Sequence, residues 1–382
     1  MDFSFTDEQR EVAALTRQIL DEQVDPGRLA ALESSGKPRF DDLLWRQFAA
    51  SDLLGVGLPA EVGGSGADLL AQALILQEIG RTLAPLPYLT TIVAGANTVA
   101  RFGTRTRRES WLPGVLGGDV VIGTALAEPH NHEPYRPQTT ATPDGAGWRL
   151  NGVKTAVPAA AIAGLFLVPA SADGRGAVFL VAADTPGVTV IPQETAAHEP
   201  IGRLHLDNVL VSADDVLGDD PDLRFEALRF LRERMTVGLC AVQFGVLEQA
   251  LQATARYTSE REQFGRPIAS FQAVSHRAAD AYIDVEGVRL TLWQAIYCLE
   301  AGLPAEVEVC TAKWWAAEAG HRVAHAAVHL HGGMGIATEH SLHRYFAHAK
   351  QNEFSLGSAT DQALRIGAHL AAEPAVPSPQ YI

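Results

Sequence analysis

Apolar residues recur at two different periods along this chain, and the change of period divides it into three. Over the first stretch the spacing is helical. Val12, Leu15 and Ile19-Leu20 follow Thr6, and Thr6 with Gln9 three residues on has the pattern of a capping box. Further helices are predicted over 40–50 and 69–81. Between them, Leu58-Pro59-Ala60-Glu61-Val62-Gly63-Gly64-Ser65-Gly66 reads as a loop, because three glycines and a proline oppose a helix.

From residue 119 to 221 the period shortens. Val120-Val121-Ile122, Trp148-Arg149-Leu150, 165–168, 177–181 and 188–191 are short runs rich in β-branched and aromatic residues, separated by turn-forming dipeptides. Asn151-Gly152 reads as a hairpin turn, since both its central positions need positive φ. From 222 the helical period returns. Leu231, Met235, Leu239, Val242, Val246 and Ala250 make one stripe, and similar stripes run through Val274, Ala278, Ala281, Val285 and through Cys310, Trp314, Ala317, His321, Ala324. Gly332-Gly333 and Gly335 end the third of these helices, another begins near Asp361, and the Pro-containing tail after Glu373 reads as a mobile end. The fold class predicted is α+β multidomain: an N-terminal α-helical domain (1–118), a middle antiparallel β-domain (119–221) and a C-terminal four-helix bundle (222–382).

A chain of 382 residues with 47% hydrophobic positions can bury more than one core. Thirty Lys plus Arg against 45 Asp plus Glu leave a net charge of -15, which argues against general binding to nucleic acid or to an anionic membrane. Any anionic ligand therefore needs a local basic site. Cys240, Cys298 and Cys310 lie in helical segments without a CxxC pair and read as buried thiols. MDFSFTDEQREV lacks the basic and apolar parts of a signal peptide, and no apolar run approaches the ~20 residues that span a bilayer, so a cytoplasmic protein is expected. His329, His331, His340, His343 and His348 are dense, yet no spacing among them repeats a metal-binding pattern, and no metal is predicted.

One local basic site is visible. In Tyr257–Gln272, YTSEREQFGRPIASFQ, a long helix breaks at Phe264-Gly265-Arg266-Pro267, with Arg261, Glu262, Gln263 and Arg266 around the break. Gly supplies backbone freedom and Pro stops the helix, leaving a polar corner able to hold an anion or to stand as an ordinary solvated hairpin.

The run REQFGRPIASFQ, together with HLHGGMGIATEHSLHRYFAHAK at 329–350 and LNGVKT at 150–155, closely resembles the acyl-CoA dehydrogenase family of flavoproteins. The resemblance runs nearly end to end. It implies FAD as cofactor, held between the β-domain and the bundle, with its adenylate half on the bundle of a neighbouring subunit. On that resemblance Arg261 binds the diphosphate, Gln263, Phe264 and Gln272 lie beside it, and His329, Gly332 and Gly333 belong to the segment that approaches the cofactor through its backbone. His329 stands where Gln is usual.

On the flavin-ring side the sequence departs from the family. Where many members carry TEPGxGSD, this chain has Ala127-Glu128-Pro129-His130-Asn131-His132-Glu133-Pro134, so two hydroxyl positions are now Ala127 and Glu133. The KxWIT element reads Lys154-Thr155-Ala156-Val157-Pro158, without ring or hydroxyl. The position of the catalytic Glu in YEGT falls on Leu356, and the alternative position on the first bundle helix falls near Met235. Glu353 and Glu233 are the weak candidates for a base.

Three readings follow. The first is a partner subunit of an FAD-dependent acyl-CoA dehydrogenase. ATEHSLHRYF (337–346) resembles actinobacterial α2β2 members active on CoA esters of steroid side chains, with a second acyl-CoA dehydrogenase-like subunit, an acyl-CoA substrate and an electron-transfer flavoprotein as acceptor. The second is a self-sufficient homo-oligomeric dehydrogenase with Glu233 or Glu353 as base. The third is a non-redox homologue that binds a CoA ester or a protein.

Overall fold

Thr6 caps the first helix as its sequence predicts: its side chain accepts from the Gln9 N–H, and the Gln9 side chain accepts from the Thr6 N–H at 2.9 Å. The computed structural model describes residues 4–372. The tail after Glu373 lies outside the described residues.

The N-terminal helices are α1 (Asp7–Gln23), α2 (Pro26–Glu33), α3 (Asp42–Ala50), α4 (Leu69–Thr82), a π-helical run Leu89–Ala96 continuing into α5 (Asn97–Phe102), and α6 (Arg105–Leu116). The segment 58–66 is a loop with one 3-10 turn, as expected. Helix α2 was not read from the sequence, although Asp25 caps it and Pro26 opens it. Trp45, Phe48 and Tyr88 form the centre of this layer's core, all at 0% exposure.

Strands β1 (Ile122–Thr124), β2 (Thr140–Asp144), β3 (Gly147–Val157), β4 (Leu165–Ala172), β5 (Arg175–Ala182), β6 (Val188–Pro192) and β7 (Gly202–Ser212) form one sheet in the order β1-β4-β2-β3-β7-β6, with β5 also paired to β4. Four pairings are antiparallel as predicted, but β1 and β2 run parallel to β4. Asn151-Gly152 is not a hairpin turn. It lies inside β3 at a bulge against β7, where the Asn151 side chain accepts from the Asn208 N–H at 2.8 Å and Gly152 packs on Thr139 with no room for a Cβ. The turn between β2 and β3 instead falls at Gly145, φ 60°.

The C-terminal helices are α7 (Pro221–Glu260), α8 (Gln272–Glu300), α9 (Glu306–His331), α10 (Leu342–Phe354) and α11 (Ala359–Ala372). The apolar stripe of α7 is buried from Leu231 to Ala250 except for Val242, which is half-buried; on α9 the predicted stripe includes His321, which is exposed. The bundle meets the N-terminal layer at very close range. A Cβ on Gly80 of α4 would stand 2.1 Å from the Val242 carbonyl oxygen, and one on Gly245 of α7 would stand 2.0 Å from that of Gln77. The three cysteines are free and buried. No helix among the described residues is long and apolar enough to cross a membrane.

Candidate functional site

The three layers enclose a cavity of about 620 Å³. Its walls come from α4 (Leu76, Ile79), the loop after β1 (Ala127, Glu128, Glu133), the end of β3 (Ala156, Pro158), α7 (Arg232, Met235, Leu239) and the turn between α10 and α11 (Leu356, Gly357). Leu356 therefore faces the cavity, and its backbone sits in the left-handed region at φ 62° with the carbonyl accepting from Gln362 at 3.1 Å. A leucine there offers no proton acceptor.

Neither acidic candidate lines this cavity. Glu233 turns to Arg229 (3.2 Å), and burial raises its carboxyl against the opposing pull of that arginine. Glu353 pairs with Lys350 (2.5 Å) and lies 3.5 Å from His321 on the outer side of α10. Glu233→Gln and Glu353→Gln are accordingly expected to change kcat/KM of the active assembly by less than about twofold, within the range of a peripheral substitution. A loss of a hundredfold or more in either variant would identify it as the base.

Of the carboxylates that line the cavity, Glu128 is fully engaged. Glu128 accepts from Lys154 Nζ (2.7 Å), the Thr139 hydroxyl and N–H (2.6 and 2.8 Å), the Gln138 N–H (2.7 Å) and Asn131 (2.7 Å). Burial alone would raise its pKa, but Lys154 and these donors overcome it and hold the group at about 2. It stays ionised as a structural anchor rather than cycling a proton. Lys154 and Glu128 were each visible in a motif, but their pairing across 26 residues was not. On another wall, Arg39 donates to Glu199 at 2.7 Å, with His348 3.7 Å from the same carboxylate. Burial and Arg39 hold His348 well below the ordinary histidine range, so it is neutral at pH 7.

The residues of the polar corner stand elsewhere. Phe264 (φ 55°) and Gly265 (φ 77°) are the two central positions of a tight turn joining β8 (Glu262–Gln263) to β9 (Arg266–Pro267), both in the left-handed region. The Arg261 guanidinium has no hydrogen-bond or ion-pair partner among the described residues. Gln263 donates to the Glu262 carbonyl, Phe264 is 93% exposed, and Gln272 lies 3.5 Å from His276. The end of α9 carries His329, exposed, then Gly332 and Gly333, around which a side chain would meet nothing of this chain within 4 Å. Beside them His331 stacks on Tyr257 at 4.3 Å and donates from Nδ1 to the Ala327 carbonyl, leaving its buried Nε2 without a partner. Arg261 lies about 39 Å farther along α7 than Met235, at ~1.5 Å per residue.

Models of the acyl-CoA dehydrogenase N-terminal, middle and C-terminal domains match residues 6–119, 123–209 and 226–371. Acyl-CoA dehydrogenase FadE27 of Mycobacterium tuberculosis is 42% identical over 383 residues, covering 98% of this chain and 100% of the relative. This chain belongs to the acyl-CoA dehydrogenase family. A chain of the ChsE4-ChsE5 complex from Mycobacterium tuberculosis superposes with a TM-score of 0.93 at 42% identity, covering 98% of this chain and 100% of that one. A variant of the Tcur3481-Tcur3483 steroid ACAD superposes at 0.90 with 41% identity, covering 96% and 98%. The cofactor of this acyl-CoA dehydrogenase family is FAD. The outward corner fits an anionic dinucleotide, with a free guanidinium and open glycine backbone. The cavity face fits less well, because Ala127, Ala156 and Pro158 supply neither the hydroxyls nor the ring that other members present there.

Proposed function

We propose that this chain is the partner subunit of a hetero-oligomeric acyl-CoA dehydrogenase acting in the cytoplasm. It gives Arg261, Gln263, Phe264, Gln272 and the His329–Gly333 backbone to a flavin whose ring and base lie on a second acyl-CoA dehydrogenase-like chain. The observation that carries this reading is Leu356: the residue of the cavity turn where a base would stand is a leucine, and Glu233 and Glu353 face away. The distance along α7 fits a cofactor shared between two subunits, whether alike or unlike, since one dinucleotide cannot reach from this chain's cavity to this chain's Arg261. The similarity to the two heteromeric assemblies supports an α2β2 arrangement and a steroid side-chain CoA ester as substrate.

When bound, FAD supplies a hydride acceptor for α,β-desaturation of the acyl thioester, and electron-transfer flavoprotein is the expected onward acceptor. This chain's part is to hold the cofactor. The Arg261 guanidinium offers a permanently charged, planar pair of donors to the diphosphate, and Gly332-Gly333 let backbone N–H groups approach. Phe264, projecting from its tight turn, offers an apolar surface for the neighbouring chain.

The test is to express the chain alone and together with the second subunit, record the flavin spectrum, and add acyl-CoA anaerobically. The expected result is a colourless or poorly soluble chain alone and a yellow complex bleached by substrate. A chain that alone carries flavin and bleaches overturns the proposal in favour of the homo-oligomeric reading; a paired complex that binds flavin but never bleaches favours the non-redox one.

A further inference from the structure

Three successive charged residues on α7 are treated differently by the fold. Glu233 pairs with Arg229 and Arg234 with Glu300, both at 3.2 Å. Arg232 pairs with nothing. It is 9% exposed, lines the cavity, and has no hydrogen bond and no carboxylate within 4.0 Å among the described residues. The guanidinium lies over the ring of Tyr135 at 5.6 Å. A buried cation without a counter-charge is costly, so a counter-ion supplied from outside the chain would explain its retention.

The surroundings add cations rather than anions. Arg365 of α11 lines the same cavity, and its one hydrogen bond among the described residues is to the Gln362 amide oxygen at 3.3 Å. The carboxylates of the cavity are committed or remote: Glu128 is saturated by Lys154 and its other donors, Glu199 pairs with Arg39, Asp361 takes both the N–H and the hydroxyl of Ser358 at 2.8 Å, and Glu133 is exposed at the rim. Apolar residues (Met235, Leu239, Phe354, Leu356) complete the wall.

We propose that the cavity of this chain is a binding site for an organic carboxylate carried on an apolar tail, seated on Arg232 with Arg365 as second cation. This goes beyond the partner-subunit reading by giving the cavity a ligand where it lacks a base. The planar guanidinium matches two oxygens at once, and Tyr135 fixes its plane from the other side. Burial already pushes the Arg232 guanidinium down to about 10, a strain that an arriving anion relieves.

Calorimetric titration of the assembled protein with octanoate, CoA and inorganic phosphate tests this. The expected result is one site per copy of this chain for octanoate, weakened about tenfold or more by Arg232→Met, partly recovered by Arg232→Lys and unchanged by Glu109→Gln on the outer face of α6. Octanoate binding supports the assignment, and a site that takes CoA or inorganic phosphate but not octanoate overturns it. Equal binding by wild type and Arg232→Met, or no binding at millimolar ligand, overturns the proposal. Without ligand, Arg232→Met is expected to be at least as stable as wild type to urea. A marked loss of stability would mean that the protein itself pairs this arginine, and would also overturn it. The readout is the same whether the assembly proves hetero- or homo-oligomeric, so its failure is distinct from failure of the functional reading.

Discussion

Lys154→Met is expected to destabilise the protein at pH 7 by about 3–5 kcal/mol, the range for removing one partner of a buried ion pair. Lys154 is 0% exposed and its partner Glu128 nearly so. With the ammonium gone, the carboxylate keeps its neutral donors from Thr139, Gln138 and Asn131 but loses the charge that offset its burial. The sign of the pH dependence follows from the depressed pKa of Glu128. Its stabilising contribution is complete above its ordinary pKa of 4.5 and disappears as pH falls through about 2. The gap between wild type and Lys154→Met in urea unfolding should therefore be widest near pH 7 and narrow below pH 4.5. A gap that stays constant to pH 3 would show that the pair is not the source of the difference.

Arg261→Ala is expected to strip flavin from the assembly without unfolding the chain. The guanidinium is exposed and touches no other side chain, so truncation costs little in this subunit alone. Against a bound diphosphate the same truncation removes a charged hydrogen-bonded partner, a loss of about 2–5 kcal/mol and hence at least about thirtyfold in affinity. Flavin absorbance per complex after gel filtration, beside an unfolding curve of the apo complex, separates the two effects. Retention of full flavin content by Arg261→Ala would mean that this corner does not hold the cofactor.

Local signals were the most legible in the sequence. The Thr6 capping box, the stripes on α7 and α8 and the glycine stop after His331 depend on neighbours within a few residues, and all appear where they were read. The Asn151-Gly152 turn failed because its partner in the decision, β7, lies more than fifty residues on and claims Asn151 through the backbone of Asn208. Strand β2, TATPD, escaped because a proline and a charged end hide its alternation, and its parallel pairing with β4 is set by tertiary context. In the cavity, the departures at Ala127, Ala156, Pro158 and Leu356 were legible because each is a change of residue type within a motif. The free charge of Arg232 was not. In Arg229–Arg234 it reads like any helix-surface cation, and only the burial of Tyr135 and the layout of three layers separate it from its paired neighbours.

Helix α7 is a single 40-residue rod, about 60 Å long, pinned near its middle by glycine contacts to α4. Its inner part lines the cavity and its outer end leads into the exposed Arg261 corner. After a gene duplication, one copy of such a protein can let its inner end erode, substitution by substitution, while the outer end remains under the full demand of its neighbour. A fold built on this rod is therefore predisposed to turn identical subunits into unequal ones, and the surviving record of that division would be a chain worn at one extremity and intact at the other.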